Sequence, residues 1–283
     1  MPSSLAGVDA FVDGPFSGNP AAVCVCLGEP TDDAWMQSLA LEMNLSETAF
    51  VWPMEPGLFG LRWFTPGAEV ELCGHATLAS AHRLWELGAA GFGRPIRFQT
   101  KFSGELTCER TPDGAVAMDF PADPVREAEP PADLLAMLGL PGGAGEVAGG
   151  FRATYDWLVV LKSAETVRRA SPDFGRLAAF HVRGVAITAE SDRDGVDIES
   201  RFFAPRLRVA EDPVTGALHC ALAELWSPKL GKKELTARQS SERGGLLGVA
   251  RRPGPDGGPG RVELSGRAST VWEGRWVGAG PGV

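Results

Sequence analysis

The chain has 283 residues, 44% of them hydrophobic and 22% charged, with a formal net charge of −9. That composition belongs to a globular protein with a substantial core, and no apolar run approaches the roughly 18 residues that span a bilayer. The acidic balance and the lack of Lys/Arg clusters speak against nucleic-acid or anionic-membrane partners. Five cysteines do not make a disulfide framework and fit a reducing compartment. With no basic-then-apolar leader, a cytoplasmic location is expected.

In chain order, residues 8–12 read as a strand, and Asp13-Gly14-Pro15 as a turn before Gly18-Asn19-Pro20. Cys24 and Cys26 alternate within an apolar run, a buried strand rather than a metal pair, because no second Cys or His pair completes a ligand set. Thr31 is placed to cap a helix burying Trp35, Met36, Leu39, Ala40 and Met43. A strand over 49–52 follows, with Glu47 at the helix-to-strand junction. Residues 62–65 form another strand, then Gly74 opens a central helix with Leu78, Ala81, Leu84 and Trp85 on one face and Gly88 as its stop. Stretches 98–109 and 115–120 alternate like antiparallel strands.

The Pro-, Ala- and acid-rich segment 122–130 reads as a connection between lobes 1–121 and 131–283, with allowance for terminal strands crossing between them. The second lobe repeats the plan. Strands are expected at 155–161, 185–188 and 201–203, then a helix carrying Leu218, Ala221, Leu222, Leu225 and Trp226, then strands at 246–250, 262–264 and 269–272. A Pro/Gly-rich loop, 253–260, lies between the first two tail strands.

The repetition extends to local sequence. Leu61-Arg62-Trp63-Phe64-Thr65-Pro66 followed by Gly74-His75-Ala76 is echoed by Ser200-Arg201-Phe202-Phe203-Ala204-Pro205 followed by Gly216-Ala217-Leu218. Two glycine-led helix starts facing across a cleft would hold a carboxylate, because helix N-termini carry unpaired N–H groups and partial positive charge. Only the first copy is preceded by an acid, in Ser46-Glu47-Thr48; the matching Gly184-Val185-Ala186-Ile187-Thr188 has none. That asymmetry points to proton chemistry with one base.

The ordered segments Asp9-Ala10-Phe11, Gly18-Asn19-Pro20, Leu45-Ser46-Glu47-Thr48-Ala49-Phe50, Phe64-Thr65-Pro66 with Glu69, Cys73-Gly74-His75-Ala76-Thr77, Asp212-Pro213-Val214-Thr215-Gly216, and Gln239 with Arg243-Gly244-Gly245 resemble the PhzF-like family of phenazine-biosynthesis isomerases, of diaminopimelate epimerase-like fold. The resemblance implies an α+β protein of two pseudo-symmetric lobes, each a bent, barrel-like antiparallel sheet around a central helix, with the active site between them. It implies an isomerase of a small carboxylate with Glu47 as the catalytic acid/base; no Gly-x-Gly-x-x-Gly follows a strand, and no Walker or pyridoxal-lysine motif occurs, so a cofactor-independent reaction with neither nucleotide nor metal is expected. It also implies that His75 orients substrate and that Asp212 accepts hydrogen bonds from it. Asn19, Ser46, Gly74, Thr215 and Gly216 complete the substrate-binding set carried by the matched motifs, and a homodimer is compatible with it.

Structural readings compete at several positions. Glu47 outside its motif would be a helix-end charge, Asp212 before Pro213 would be a helix N-cap, and Asn19 would brace a turn. His219 and Cys220 read as core, and His82 and His181 have no recognisable partner. Two departures matter. Ala217 stands where many members have Ser, which removes one donor to the substrate. Cys73 sits at the first thiol position of fold relatives that racemise or epimerise with two cysteines, but Asp212 and Pro213 occupy the second, which disfavours a two-thiol epimerase. An epimerase using Glu47 with Asp212 or Cys73, and a non-catalytic binding protein, are the rival readings.

Overall fold

A computed structural model describes residues 2–30, 32–91, 93–252, 254 and 260–277. Two compact units emerge: Met1–Asp119 with Ser265–Val283, and Phe120–Leu264. The tail thus returns to the first unit instead of staying with the second lobe.

The first unit contains β1 (Pro2–Ala10), β2 (Asn19–Cys26), α1 (Asp33–Met43), β3 (Glu47–Glu55), β4 (Leu58–Phe64), β5 (Glu69–Val70), α2 (Gly74–Glu86), β6 (Ile96–Thr100), β7 (Glu105–Arg110) and most of β8 (Val116–Pro121). The second continues with β9 (Arg126–Glu127), α3 (Ala132–Met137), β10 (Val147–Arg152), β11 (Asp156–Leu161), α4 (Ala164–Arg169), α5 (Phe174–Ala179), β12 (Gly184–Glu190), β13 (Ile198–Ala204), β14 (Val209–Asp212), α6 (Gly216–Leu230), β15 (Glu234–Gln239), β16 (Gly245–Arg252) and β17 (Arg261–Gly266). The last strand, β18 (Ala268–Gly274), pairs antiparallel with β1.

The α+β class holds, but strand direction departs from the expected antiparallel sheet. In the first unit the pairings run β18-β1-β2-β3-β4-β6-β7-β8, an open order among the described residues rather than a closed ring. Two of these pairs, β2 with β3 and β4 with β6, are parallel. Each is joined through a helix, α1 or α2, which carries the chain back so that the next strand starts from the same end. The second unit repeats this: β9-β10-β11-β12-β13-β15-β16, with β11–β12 and β13–β15 parallel and helices in both crossovers.

The duplication reaches individual side chains. In β4 and β5, Arg62 Nε donates to Glu69 Oε1 at 2.6 Å and Nη2 to Oε2 at 2.8 Å; in β13 and β14, Arg201 makes the same fork to Glu211 at 2.7 and 2.8 Å. Each guanidinium also lies over an aromatic ring two residues on, Arg62 over Phe64 at 5.2 Å and Arg201 over Phe203 at 5.1 Å. A planar fork held at both edge and face fixes a short strand to its neighbour.

Apolar spacing accounts for the packing. Met36, Leu39 and Ala40 of α1 bury against Leu5, Cys24, Cys26, Phe50, Trp52 and Phe64, with Trp35 and Met43 half-buried at the margin. The helix is capped by Asp32, whose carboxylate accepts from Trp35 N at 3.0 Å; Thr31, the expected cap, lies outside the described residues. In the second unit Leu134, Leu138, Val159, Leu161, Val167, Ile187 and Phe203 form a comparable core. Helix α2 is buried beyond its one predicted face, with Ala76, Thr77, Ala79, Ser80 and Arg83 also inside. Its polar residues are compatible with this because Thr77 and Ser80 donate back to Cys73 O and Ala76 O at 2.6 and 2.7 Å. Gly88 adopts φ +67 beyond the helix end, as its place in the sequence predicts.

Other departures are local. The stretch 98–109 is broken between β6 and β7 at Gly104, whose φ is +70. The connecting segment contains the short strand β9. Most of the 253–260 loop lies outside the described residues. No described helix is long and apolar enough to cross a membrane.

Candidate active site

Glu47 is positioned by two chain reversals. Helix α1 ends at Asn44, whose left-handed φ of 50 turns the chain while its N–H bonds Ala40 O at 3.1 Å. Three residues later Glu47 begins β3 opposite Ala21 of β2, just after the half-buried Ser46. Just before the neighbouring strand β2, Gly18 has φ +81, and a Cβ there would lie 2.3 Å from Ala10 O. Only glycine fits, and the tight turn seats fully buried Asn19 opposite Ala10.

The second element is the start of α2. Cys73 is its N-cap residue and makes no side-chain cap, so Gly74 and His75 begin the helix with backbone N–H groups that the cap residue leaves unbonded. His75 Nε2 lies 3.1 Å from Glu47 Oε2, and Cys73 Sγ lies 3.5 Å from His75 Nδ1. The His75 and Glu47 side chains are only 8% and 18% exposed. The contact has the distance of an ion pair without the alignment of a hydrogen bond, so the buried Oε2 makes no hydrogen bond among the described residues.

Electrostatics follow from this crowding. Burial alone disfavours an imidazolium, yet the Cys73 sulfur and Glu47 carboxylate outweigh it and hold the His75 pKa well above its ordinary value. Burial, reinforced by the Glu47 charge, pushes the Cys73 pKa up, which keeps it a thiol. The site therefore joins a carboxylate with a free oxygen lone pair, a charged imidazole and a protonated thiol. Oxygen, nitrogen and sulfur donors of the three residues lie within 4.8 Å of one another, a grouping absent from the sequence expectation of no metal ligands.

Asp212, Thr215 and Gly216 come together at the start of α6. Thr215, not Asp212, occupies the N-cap position, and the helix begins at Gly216 rather than Pro213. The reason is strand pairing: Asp212 is held opposite Phe202 as the last residue of β14. Thr215 Oγ1 donates to Asp212 Oδ2. Buried Gln239 clamps the turn, its Nε2 donating to Asp212 O at 2.7 Å and Thr215 Oγ1 at 3.2 Å while its Oε1 accepts from Thr215 N at 2.8 Å. Ala217 is exposed, and His219 and Cys220 are buried as expected.

Two histidines do have partners. His82 Nε2 lies 3.1 Å from Glu86 Oε1, and His181 Nδ1 accepts from Arg206 Nη1 at 2.8 Å. The sequence reading also passed over Glu199, a fully buried carboxylate that accepts from Arg168, Arg193 and Ser240 at 2.6, 3.0 and 2.6 Å. Its sequence surroundings, Asp197-Ile198-Glu199-Ser200-Arg201, are mostly polar and gave no signal of this burial.

Comparison with known proteins gives a consistent outcome. An uncharacterized isomerase of Halalkalibacterium halodurans is 44% identical over 273 residues, covering 96% of this chain and 97% of its own. A crystal structure of a PhzF-family phenazine biosynthesis protein from Enterococcus faecalis superposes with a TM-score of 0.85 at 36% identity, covering 97% of this chain and 98% of that one. The fold alone extends to a predicted epimerase of Pseudomonas aeruginosa, at 23% identity and a TM-score of 0.71, over 98% of this chain and 99% of that one. The phenazine biosynthesis-like protein family matches residues 8–274, and the chain belongs to that family.

Proposed function

We propose that this protein is an isomerase of a small carboxylate that moves a proton through Glu47 without a cofactor. The enzyme class is that named for its 44%-identical relatives. The observation that carries the mechanism is the pairing of the largely buried Glu47 with His75, Oε2 and Nε2 lying 3.1 Å apart. A largely buried carboxylate beside an imidazolium is placed to exchange a proton with a substrate C–H, and the imidazolium stabilises a developing oxyanion.

In this reading the N–H groups at Gly74 bind the substrate carboxylate, with His75, Ser46 and Asn19 setting its orientation. Asp212, Thr215 and Gly216 enter this reading through the family motif that carries them, with Asp212 as an acceptor for a substrate hydroxyl or amine. Proton removal beside a carbonyl or extended π-system, followed by return to another carbon, completes an isomerisation with no net change in atoms.

Epimerisation is the second reading, but the Glu47 and Cys73 donor atoms lie within 4.8 Å of one another, too close to flank one carbon from opposite faces, so Cys73 would not serve as the opposing base. Incubation of cyclic and acyclic hydroxy and amino carboxylates in deuterated water, followed by NMR, tests both. Glu47→Gln should lower exchange at least about 100-fold while leaving the fold intact. Wild-type exchange in that variant would remove Glu47 as the base. Loss of chirality without migration of a double bond would select epimerisation.

A further inference from the structure

We propose that Glu47, Cys73 and His75 form a binding site for a zinc-class divalent cation, and that the bound ion inhibits the protein. The inhibitory half rests on the reading of Glu47 as the base, because the ion would occupy the oxygen lone pair that takes the proton. The three residues offer one hard oxygen, one imidazole nitrogen and one soft sulfur, the donor mixture suited to Zn2+ or Co2+ rather than Mg2+ or Ca2+.

Geometry supports the assignment. In a tetrahedral zinc site, bonds of about 2.0–2.3 Å place neighbouring donor atoms roughly 3.3–3.6 Å apart. Here His75 Nε2 is 3.1 Å from Glu47 Oε2 and 4.0 Å from Cys73 Sγ, and the whole set lies within 4.8 Å. Shifts of a few tenths of an ångström for the nitrogen pairs bring them to bonding positions. Glu47 Oε2 is buried and faces His75 Nε2, so coordination replaces their mutual ion pair by a bond from each to the metal. Three protein ligands leave a fourth position open, as in zinc sites that retain water.

Charge balances as well. Binding displaces the Cys73 thiol proton and the Nε2 proton of His75 to solvent, leaving a carboxylate and a thiolate that together neutralise a dication. The ion exchanges these protons and changes no oxidation state.

The test uses the intact chain with Zn2+ or Co2+ alone. Calorimetry should give one Zn2+ per chain, and Co2+ should produce a sulfur-to-metal charge-transfer band. Cys73→Ala should abolish the band and weaken Zn2+ binding on the order of 100-fold. X-ray absorption on Zn2+-loaded wild-type protein needs no variant and should show one sulfur at about 2.3 Å with nitrogen and oxygen neighbours. Undiminished binding in folded Cys73→Ala, or a metal shell lacking sulfur, would overturn the site. Metal binding is read without substrate, so its failure leaves the isomerase reading standing. Once a substrate is known, proton exchange should fall with Zn2+ and return with a chelator; exchange unaffected by a saturating ion would overturn the inhibition.

Discussion

His219 stands in α6 where Thr77 stands in α2, and both return a bond to the N-cap carbonyl of their own helix. Thr77 Oγ1 donates to Cys73 O at 2.6 Å, and His219 Nδ1 lies 2.8 Å from Thr215 O. The duplicated helix start thus keeps one interaction while exchanging a hydroxyl for an imidazole. A charged ring would have to sit fully buried, and burial lowers the His219 pKa to about 4, against the smaller raising effect of the Thr215 bond.

Acid should therefore destabilise the second unit. The folded pKa lies below the unfolded value near 6.5, so the contribution is intact above pH 6.5 and is lost as pH falls toward 4. The loss approaches about 3 kcal/mol for this group. Urea unfolding at pH 7 and pH 4.5 should show the decline, and His219→Thr, which retains a hydroxyl for Thr215 O, should flatten it. An equally steep decline in the variant would assign the effect elsewhere.

His75 should behave in the opposite sense. Its raised folded pKa stabilises the protein below the unfolded value, and that contribution disappears as pH rises through the folded pKa. Glu47→Gln removes the carboxylate partner while leaving the burial, so the His75 pKa should fall. Titration of the His75 ring protons by NMR measures it; an unchanged pKa would mean that the 3.1 Å contact carries little charge interaction.

Gln239 ties β15 to the turn before α6 through three hydrogen bonds at 2.7–3.2 Å. Gln239→Ala should cost about 2–3 kcal/mol, because Thr215 N and Asp212 O lose a partner in a protected setting. If Asp212 contacts substrate, KM should rise more than kcat falls, whereas a purely structural role would leave both unchanged in the surviving folded protein. Glu would be a poor replacement, since it lacks the N–H donors.

The buried Glu199 distinguishes kinds of ion pair. Arg168→Met removes a guanidinium bonded to a carboxylate with no exposure, and about 3 kcal/mol of stability should go with it, tempered by the remaining bond from Arg193. Arg169→Met breaks a pair whose partners are 67% and 65% exposed, and should cost less than about 0.5 kcal/mol. Thermal unfolding of the two variants gives the comparison; equal losses would show that Glu199 is relieved by water or by Ser240.

Much of the plan was legible in the sequence because it depends on local chemistry. Met36, Leu39 and Ala40 recur at helical spacing and form one buried stripe, and the helices begin at Gly74 and Gly216, where the repeated motif puts them. The repeated Arg-x-Phe of Arg62 and Arg201 announced two copies of one unit, and Ser46-Glu47-Thr48 singled out the acid. Strand direction depended on how each helix carries the chain across the sheet, so β2 beside β3 in parallel was not visible in alternation alone. The return of β18 to β1 likewise joins residues far apart in sequence. Asp212 has the chemistry of an N-cap next to Pro213, yet its pairing with Phe202 delays the helix to Gly216 and passes the cap position to Thr215. The grouping of Glu47, Cys73 and His75 is the clearest case: sequence spacing separates the strand from the helix, and only their packing brings an oxygen, a sulfur and a nitrogen within 4.8 Å. Local residue chemistry determined the elements and the reactive groups; burial and long-range pairing decided which groups meet, and with that their charge.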